Sequence, residues 1–337
     1  MTTLTVDTDG VSGTYSSLSA AIAALPATFD DDFTIECSAS TGVADTTGVT
    51  LPATGSYELI VKPASGQEHN GVWNTSIYRL ETADERALGM VSVQATGTHI
   101  IDGLQIRRTT TTAHSSPVVL TTISMRTGSY TLRGCIVRGP ANASYRARTI
   151  QVGGDGRFTP KHVFVNNIIY DNEGASSATN SVFYTAAAQG TGDVFLYSNT
   201  IIGGEFLGYQ LYREVDQQAW KFVNNIITTG ALGNNTADCI DAVVGANYNA
   251  FSEAIDFGGA NDRQSQTFSF TDSDADDYSL TSDDTGALNH GTDLSADADY
   301  PFNTDIVGTT RTGTWDIGAF EFAVVDTVPM PQYIYGA

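Results

Sequence analysis

Three copies of one short phrase constrain this chain more than anything else in it. Between His162 and Gly230 it reads His162-Val-Phe-Val-Asn166-Asn-Ile-Ile-Tyr170, then Asp193-Val-Phe-Leu-Tyr-Ser-Asn199-Thr-Ile-Ile202, then Trp220-Lys-Phe-Val-Asn224-Asn-Ile-Ile227. Each copy is an apolar run, an Asn, one polar residue and a second apolar run. A strand broken by Asn, without Gly-Pro punctuation, turns a corner, because Asn tolerates the left-handed backbone a corner needs. Repeated on successive turns, the Asn amides come into register and hydrogen-bond as a ladder. One such turn cannot bury its own apolar face, and stacked neighbours supply the core. The expectation is a parallel β-solenoid.

Weaker copies extend the pattern upstream. Leu132-Arg-Gly134-Cys-Ile-Val137 and Ile101-Asp-Gly103-Leu-Gln-Ile106 carry Gly, the other residue that accepts positive φ, at the corner. Corners are expected at 103, 134, 166, 199 and 224, spaced by 31, 32, 33 and 25 residues, with one more in Asn247-Tyr-Asn249-Ala-Phe251. A third apolar run falls in each interval: Val118–Leu120, Thr149–Val152, Ser181–Tyr184, Gly208–Tyr212 and Cys239–Val244. That makes three strands per turn and about eight turns, one strand spacing (~4.8 Å) apart.

The abundance of Gly, 33 residues against 9 Pro, suits many turns, and a solenoid grows to 337 residues without a second core. No run approaches the ~20 apolar residues of a membrane span. The opening Met1-Thr-Thr-Leu-Thr-Val has neither a basic nor a hydrophobic leader region, so no secretion signal is expected. Cys37, Cys135 and Cys239 are odd in number, far apart and set in apolar runs, which reads as buried free thiols. The net charge of −22 argues against nucleic acid as partner. That charge is unevenly spread. Residues 99–163 hold nine basic side chains against Asp102 and Asp155, whereas residues 252–300 hold twelve acidic ones against Arg263. A rod so charged is expected to meet a second copy, or a partner, acidic end to basic flank, with the arm from Val324 to Ala337 as anchor.

Near the start, Ser16-Ser17-Leu18-Ser-Ala-Ala-Ile22-Ala-Ala-Leu25-Pro26 is the one convincing helix, with Ser16 or Ser17 as cap and Leu18, Ile22 and Leu25 on one face. It is expected to cap the open end before the strands begin at Phe33-Thr-Ile-Glu-Cys37. Together with the Asn-Asn-Ile-Ile corners, the opening Asp-Gly…Gly13-Thr-Tyr15…Leu25-Pro26 resembles the pectin-lyase-like superfamily over residues 1 to about 255. That resemblance implies an all-β fold: a single-stranded right-handed parallel β-helix with an N-terminal helical cap and a C-terminal strand cap. A second resemblance lies at the far end. Asp277-Tyr-Ser-Leu280…Gly286-Ala-Leu-Asn-His290-Gly291…Arg311…Asp316-Ile-Gly-Ala-Phe-Glu321 is similar to the closing segment of many bacterial and phage parallel β-helix repeat proteins, with Asp284-Thr285-Gly286 where those carry Ser-Pro before the Ala. Trp315, Phe320 and Phe322 are expected to cover the last turn. The divisions expected are a helical cap over 1–30, the β-helix over 31–255, an acidic capping segment over 256–322 and an extended tail over 323–337.

Enzymes of that superfamily are polysaccharide lyases, polygalacturonases and pectinesterases, and the motifs of all three are absent. So are His-Glu-x-x-His, a phosphate-cradling Gly-x-x-x-x-Gly-Lys and Gly-x-Ser-x-Gly. Looser groupings remain. Glu205, Glu214, Asp216 and Asp241 fall in neighbouring turns, where two carboxylates about 5–10 Å apart would suit glycoside cleavage. Tyr184, Tyr209 and Tyr212 could stack on sugar rings. The plain alternative is solvated loop acids and packed aromatics. Arg107 and Arg138 each follow a corner by four residues and should stack on adjacent turns, repelling unless an anion compensates. Asp102 and Arg133, one residue before theirs, should attract. Asp272, Asp274, Asp276 and Asp283 imitate a Ca2+ loop but lack its Gly and bidentate Glu, so no cofactor is expected. The function expected is a structural or surface-recognition protein, a bacteriophage virion component such as a decoration, spike or tail-associated protein that binds a glycan. Its rivals are a secreted polysaccharide lyase or glycoside hydrolase, and a cell-surface adhesin. The partners expected are other virion or surface proteins, a second copy of the chain, or a polysaccharide.

Overall fold

Apolar residues at period two, interrupted by residues of positive φ, wind the chain into stacked turns of three strands. A computed structural model describes residues 1–82, 91–93, 96–109, 118–121, 128–139, 148–152, 161–171, 181–185, 193–203, 220–228, 243–254 and 258–322. Sheet A has nine strands: Thr2–Asp7, Phe33–Ser38, Glu58–Pro63, Gly97–Asp102, Gly128–Arg133, Lys161–Val165, Val194–Tyr197, Trp220–Val223 and Val243–Asn247. Sheet B has seven: Leu80–Thr82, Gln105–Arg108, Ile136–Arg138, Ile168–Tyr170, Thr200–Ile202, Ile226–Thr228 and Ala250–Phe251. Sheet C has five: Val49–Leu51, Val91–Val93, Val118–Thr121, Arg148–Val152 and Ser181–Thr185. Neighbours in all three sheets pair in parallel. The chain is an all-β parallel β-helix, as its repeats imply.

Inward residues of each rung stack on the next. One row of sheet A runs Ile35, Val61, Ile101, Leu132, Phe164, Leu196 and Phe222, all at or below 1% exposure. The helix Leu18–Ala23 is capped by Ser17, whose hydroxyl accepts from the Ala20 amide at 3.1 Å. It does not precede the strands as expected. Thr2–Asp7 already pairs with Phe33–Ser38, and the helix is inserted between these first two rungs. Leu18 and Ala21 enter the core beside Val49–Leu51, filling the end where sheet C has not yet begun. Cys37 and Cys135 are buried free thiols, and burial pushes both thiol pKa values up. Cys239 lies outside the described residues.

The corners between sheets A and B separate two jobs that the sequence pattern had merged. Positive φ falls on Gly103, Gly134, Asn166, Ser198, Asn224 and Tyr248. The corner in the second copy is therefore Ser198, not Asn199. The next residue on each turn carries the ladder: Asn167, Asn199, Asn225 and Asn249, all fully buried. Each Nδ2 donates to the following Oδ1 at 2.9 Å, and each backbone amide donates to the same oxygen at 3.0 Å, from Asn167 to Asn199, Asn199 to Asn225 and Asn225 to Asn249. The second Nδ2 proton reaches a carbonyl one turn back, Leu132, Phe164, Leu196 or Phe222. The ladder starts at the Cys135 amide, 3.0 Å from Asn167 Oδ1, and ends on the Asp262 carboxylate, 2.7 and 3.0 Å from the Asn249 amide and Nδ2. Of the expected third strands, Gly208–Tyr212 lies outside the described residues. Val243 and Val244 open the last strand of sheet A instead.

Two predictions follow from this core. Asn199→Leu removes the acceptor of the Asn167 amide and Nδ2 and the donor to Phe164 O and Asn225 Oδ1, and buried unsatisfied groups cost ~1–3 kcal/mol each. We expect a loss above about 3 kcal/mol in urea unfolding, against less than about 0.5 kcal/mol for the exposed Asn261→Ala. Equal losses would disprove the ladder. The second concerns His162, stacked in register between Tyr130 and Val194, with neither ring nitrogen hydrogen-bonded. Burial pushes its pKa down to about 3. The neutral ring's contribution is complete above the unfolded value of ~6.5 and is lost as pH falls toward the folded value. His162→Phe should be no less stable at pH 7 and should lose about 2–3 kcal/mol less than wild type on going to pH 4.5.

Candidate functional site

After the last rung the chain does two things. Residues 258–266 close the end: Asp262 terminates the ladder, and Arg263 pairs with Asn249 and Phe251 through its backbone. The rest, from Phe268 to Phe322, is a strap that runs back along the outside of the A/B corner. It covers outward apolar residues of sheet A (Val163, Val165, Phe195, Tyr197, Val223) with Leu294, Tyr300, Phe302 and Trp315. On sheet B it covers Ile136, Ile168 and Tyr170 with Tyr278, Ala319 and Phe320, and Ile226 and Ala250 with Leu280, Ala287 and Ile317. Trp315 and Phe320 thus seal the flank rather than the last turn, because that is where the solenoid's uncovered apolar rows lie.

Corner asparagines hold the strap. Asn166 Nδ2 donates to Thr304 O at 2.6 Å, and Asn224 exchanges two bonds with the Thr292 backbone. The Asp316-Ile-Gly-Ala-Phe-Glu321 phrase now has a residue-by-residue reason. Asp316 accepts from the amides of Asn289 and Phe322, and Glu321 from the Asp316 amide and Arg311. A Cβ on Gly318 would lie 2.7 Å from Ile226 Cδ1 and 2.9 Å from Thr200 Oγ1. Arg311, with no exposed side-chain surface, donates to Asn166 Oδ1 and to the carbonyls of Asp316, Gly318 and Phe320. The Asp284 carboxylate accepts from the amides of Ser269, Ala287 and Leu288.

The strap also answers the charge asymmetry. Asp276 pairs with Arg138 at 3.3 Å, Tyr300 accepts from Arg133, and Asp297 and Asp299 clasp Lys221 at 3.0 and 3.1 Å while the Asp299 carbonyl takes Lys161. The acidic stretch therefore meets the basic band of its own chain.

The predicted Arg107 and Arg138 are opposite one another in adjacent rungs. Their compensating anions are internal. Arg107 faces Glu81 at 3.4 Å, and Arg138 bonds Asp171 at 2.5–2.9 Å between the rings of Trp73 and Tyr170. Asp102 and Arg133 pair across turns at 2.7 Å. In the Ca2+-like stretch, Asp272 caps a short 3-10 turn by accepting from the Ala275 amide, and Asp276 is committed to Arg138. Asp274 and Asp283 are exposed. Among the described residues, no three His, Cys, Asp or Glu converge as metal ligands. Glu205, Glu214, Asp216, Asp241, Tyr209 and Tyr212 lie outside the described residues. Tyr184 sits in sheet C opposite Gln151.

Sequence reasoning missed a cleft on the A/B corner. Two hollows of about 390 and 430 Å³ meet at Asp102, Gly103, Gly134 and Ile306, between the early turns and the strap segment 300–308. Its walls include Glu36, Lys62, Glu68 and His69 on one side, and Arg133, Tyr300 and Phe302 on the other. His69 is structural: Nε2 lies 2.8 Å from Gly134 O, Nδ1 accepts from the Gly71 amide, and burial lowers its pKa. No family model, curated protein or solved structure matches the chain.

Arg311→Ala should strand the carbonyls it serves and leave Glu321 buried without its cation, a cost of about 3–5 kcal/mol. Limited proteolysis should then cut within 268–322 while the rungs remain protected. An unchanged cleavage rate and unfolding midpoint would show that the strap is held by apolar contact alone.

Proposed function

We propose that this chain is a surface-recognition solenoid, a component of an assembled particle such as a bacteriophage virion, that presents its long connections between sheets B and A to a glycan. One observation carries the reading. The strap covers the A/B flank of the later turns, whereas residues 203–219 and 229–242 are long connections that each join a strand of sheet B to the next strand of sheet A. Those connections hold Tyr209 and Tyr212, and Tyr184 lies on sheet C itself. The likeness to pectin-lyase-like and phage β-helix repeat proteins, read from the corner and closing motifs, supports a glycan as the ligand. Two closed ends suit a discrete module: the inserted helix fills one, and the Asp262 turn fills the other. Fold leaves the chemistry open, and the missing lyase and hydrolase motifs favour binding over cleavage.

A glycan array of bacterial surface polysaccharides should show binding that falls about tenfold or more in a Tyr209→Ala/Tyr212→Ala variant. Pectate and alginate should release no unsaturated or reducing ends. Release above blank, abolished by Glu214→Gln or Asp216→Asn, would establish the lyase or hydrolase alternative instead.

A further inference from the structure

One outward row of sheet A changes character half way along the rod. It runs Glu36, Lys62, Asp102 and Arg133, then Val165, Tyr197 and Val223, all in register except that Lys62 and Asp102 are the residues just after the paired Val61 and Ile101. The strap covers the apolar half. Its segment 300–308 forms a rim over the start of the charged half, and the cleft lies there.

We propose that this cleft is a second binding site, separate from the connections that hold Tyr209 and Tyr212, for a segment of neutral glycan. Glycine makes the space. At Asn166 and Asn224 the corner side chain fills the gap between solenoid and strap and bonds to the strap backbone. At Gly103 and Gly134, which hold the same positive φ, no side chain does so. The resulting hollows fall within the ~300–1,000 Å³ usual for small-ligand sites.

The floor has the chemistry of a polyhydroxyl receptor. Glu36 pairs with Lys62 at 3.2 Å and Asp102 with Arg133 at 2.7 Å, each side chain 30–40% exposed. Signs alternate rung by rung, so a hydroxyl can donate to a carboxylate and accept from the next cation. A pyranose is comparable in length to one rung spacing of ~4.8 Å. The Tyr300 hydroxyl accepts from Arg133 at 3.4 Å and keeps its own proton to donate. Pro63, Ile306 and the exposed Val307 offer apolar contact for ring C–H groups. Exposed ion pairs add only ~0–1 kcal/mol each, so stability alone is a weak reason for four charges in a row.

The same residues select against other ligands. The four-residue row is neutral, and Glu68 adds a negative charge, so a polyuronate or phosphate is repelled. No carboxylate trio converges on a metal position among the described residues. His69 has both nitrogens engaged, leaving no free imidazole for proton transfer. The site binds and does not cleave.

Saturation-transfer NMR on the full chain tests this, with cellohexaose and maltohexaose as neutral probes and oligogalacturonate as anionic comparator. Gly134→Asn is the informative variant. Asn already occupies the equivalent conformation at 166 and 224, and a Cβ at 134 has no neighbour nearer than 3.8 Å, yet the amide would fill the cleft. We expect transfer to at least one neutral probe, weakened about tenfold or more in Gly134→Asn at an unchanged melting temperature. Tyr300→Phe should weaken it too, which serves if Gly134→Asn does not fold. Transfer to neither neutral probe, preference for oligogalacturonate, or equal transfer in the variants would overturn the proposal. Binding lost in Tyr209→Ala/Tyr212→Ala but kept in Gly134→Asn would also overturn it, while leaving the loop-face reading standing.

Discussion

The asparagine ladder is the interaction on which the rest depends. A parallel β-helix must turn inside its own stack, and each turn buries backbone groups that no strand partner can serve. Asn answers this because one amide offers two donors and two acceptor sites. Here both donors and the oxygen of Asn167, Asn199 and Asn225 are used, within the ladder and on carbonyls one turn back. Within the ladder every Nδ2 donates to the Oδ1 of the following turn, so the side-chain amides are aligned head to tail. A chain of donors running one way ends in an unpaired N–H, and Asp262 meets it with a carboxylate. Burial raises the Asp262 pKa against the pull of those amide bonds, so the last rung is closed by a group held between two opposing effects.

The ladder fixes the inside of the corner and leaves the outside bare. Once Asn167 and its successors turn inward, Val163, Val165, Phe195 and Tyr197 stand on an outer face that nothing in the rungs covers. The strap is the solution, and it explains why so acidic a segment follows so basic a band. Lys161 and Lys221 lie over the rings of Phe195 and Tyr197, and Asp297 and Asp299 close over them. Individually such partly exposed pairs are weak. Their effect here is to register the strap, while Trp315, Phe302 and Leu294 supply the buried apolar area.

Much of this was legible in the residues. The repeated Val-Phe-Val-Asn-Asn-Ile-Ile phrase carries its own period, so the sheets, the pairing of Asp102 with Arg133 and the alignment of Arg107 with Arg138 could be read directly. What misled was a doublet. In Asn166-Asn167 and Asn224-Asn225 either residue could be the corner, and only Ser198-Asn199 distinguishes them, since Ser takes the positive φ and Asn the ladder. The helix is expected one rung too early because Thr2–Asp7 is too polar to look like a core strand: only Val6 and Asp7 are buried. Asp7 is held by hydrogen bonds from Ser12, Ser40 and the Asp9 amide rather than by apolar neighbours, and these outweigh burial to keep its carboxyl far below the usual range. Path was the harder problem. Strong local motifs such as Asp316–Glu321 show how a segment folds on itself, but not which face of a rod it lies against.

That face could nevertheless have been found from register. Every second residue of a sheet A strand points outward, and the outward row ending each strand reads Glu36, Lys62, Asp102, Arg133, Val165, Tyr197, Val223. A solvent-facing row has no reason to turn apolar half way along unless something covers it from that point on. The switch between Arg133 and Val165 therefore marks where the strap ends. The corner residues switch at the same place, from Gly103 and Gly134, which offer the strap nothing, to Asn166, which bonds it. Two independent positions in the repeat thus locate one boundary. The uncovered, charged and glycine-lined side of that boundary is the part of the flank where the solenoid can still meet something other than itself.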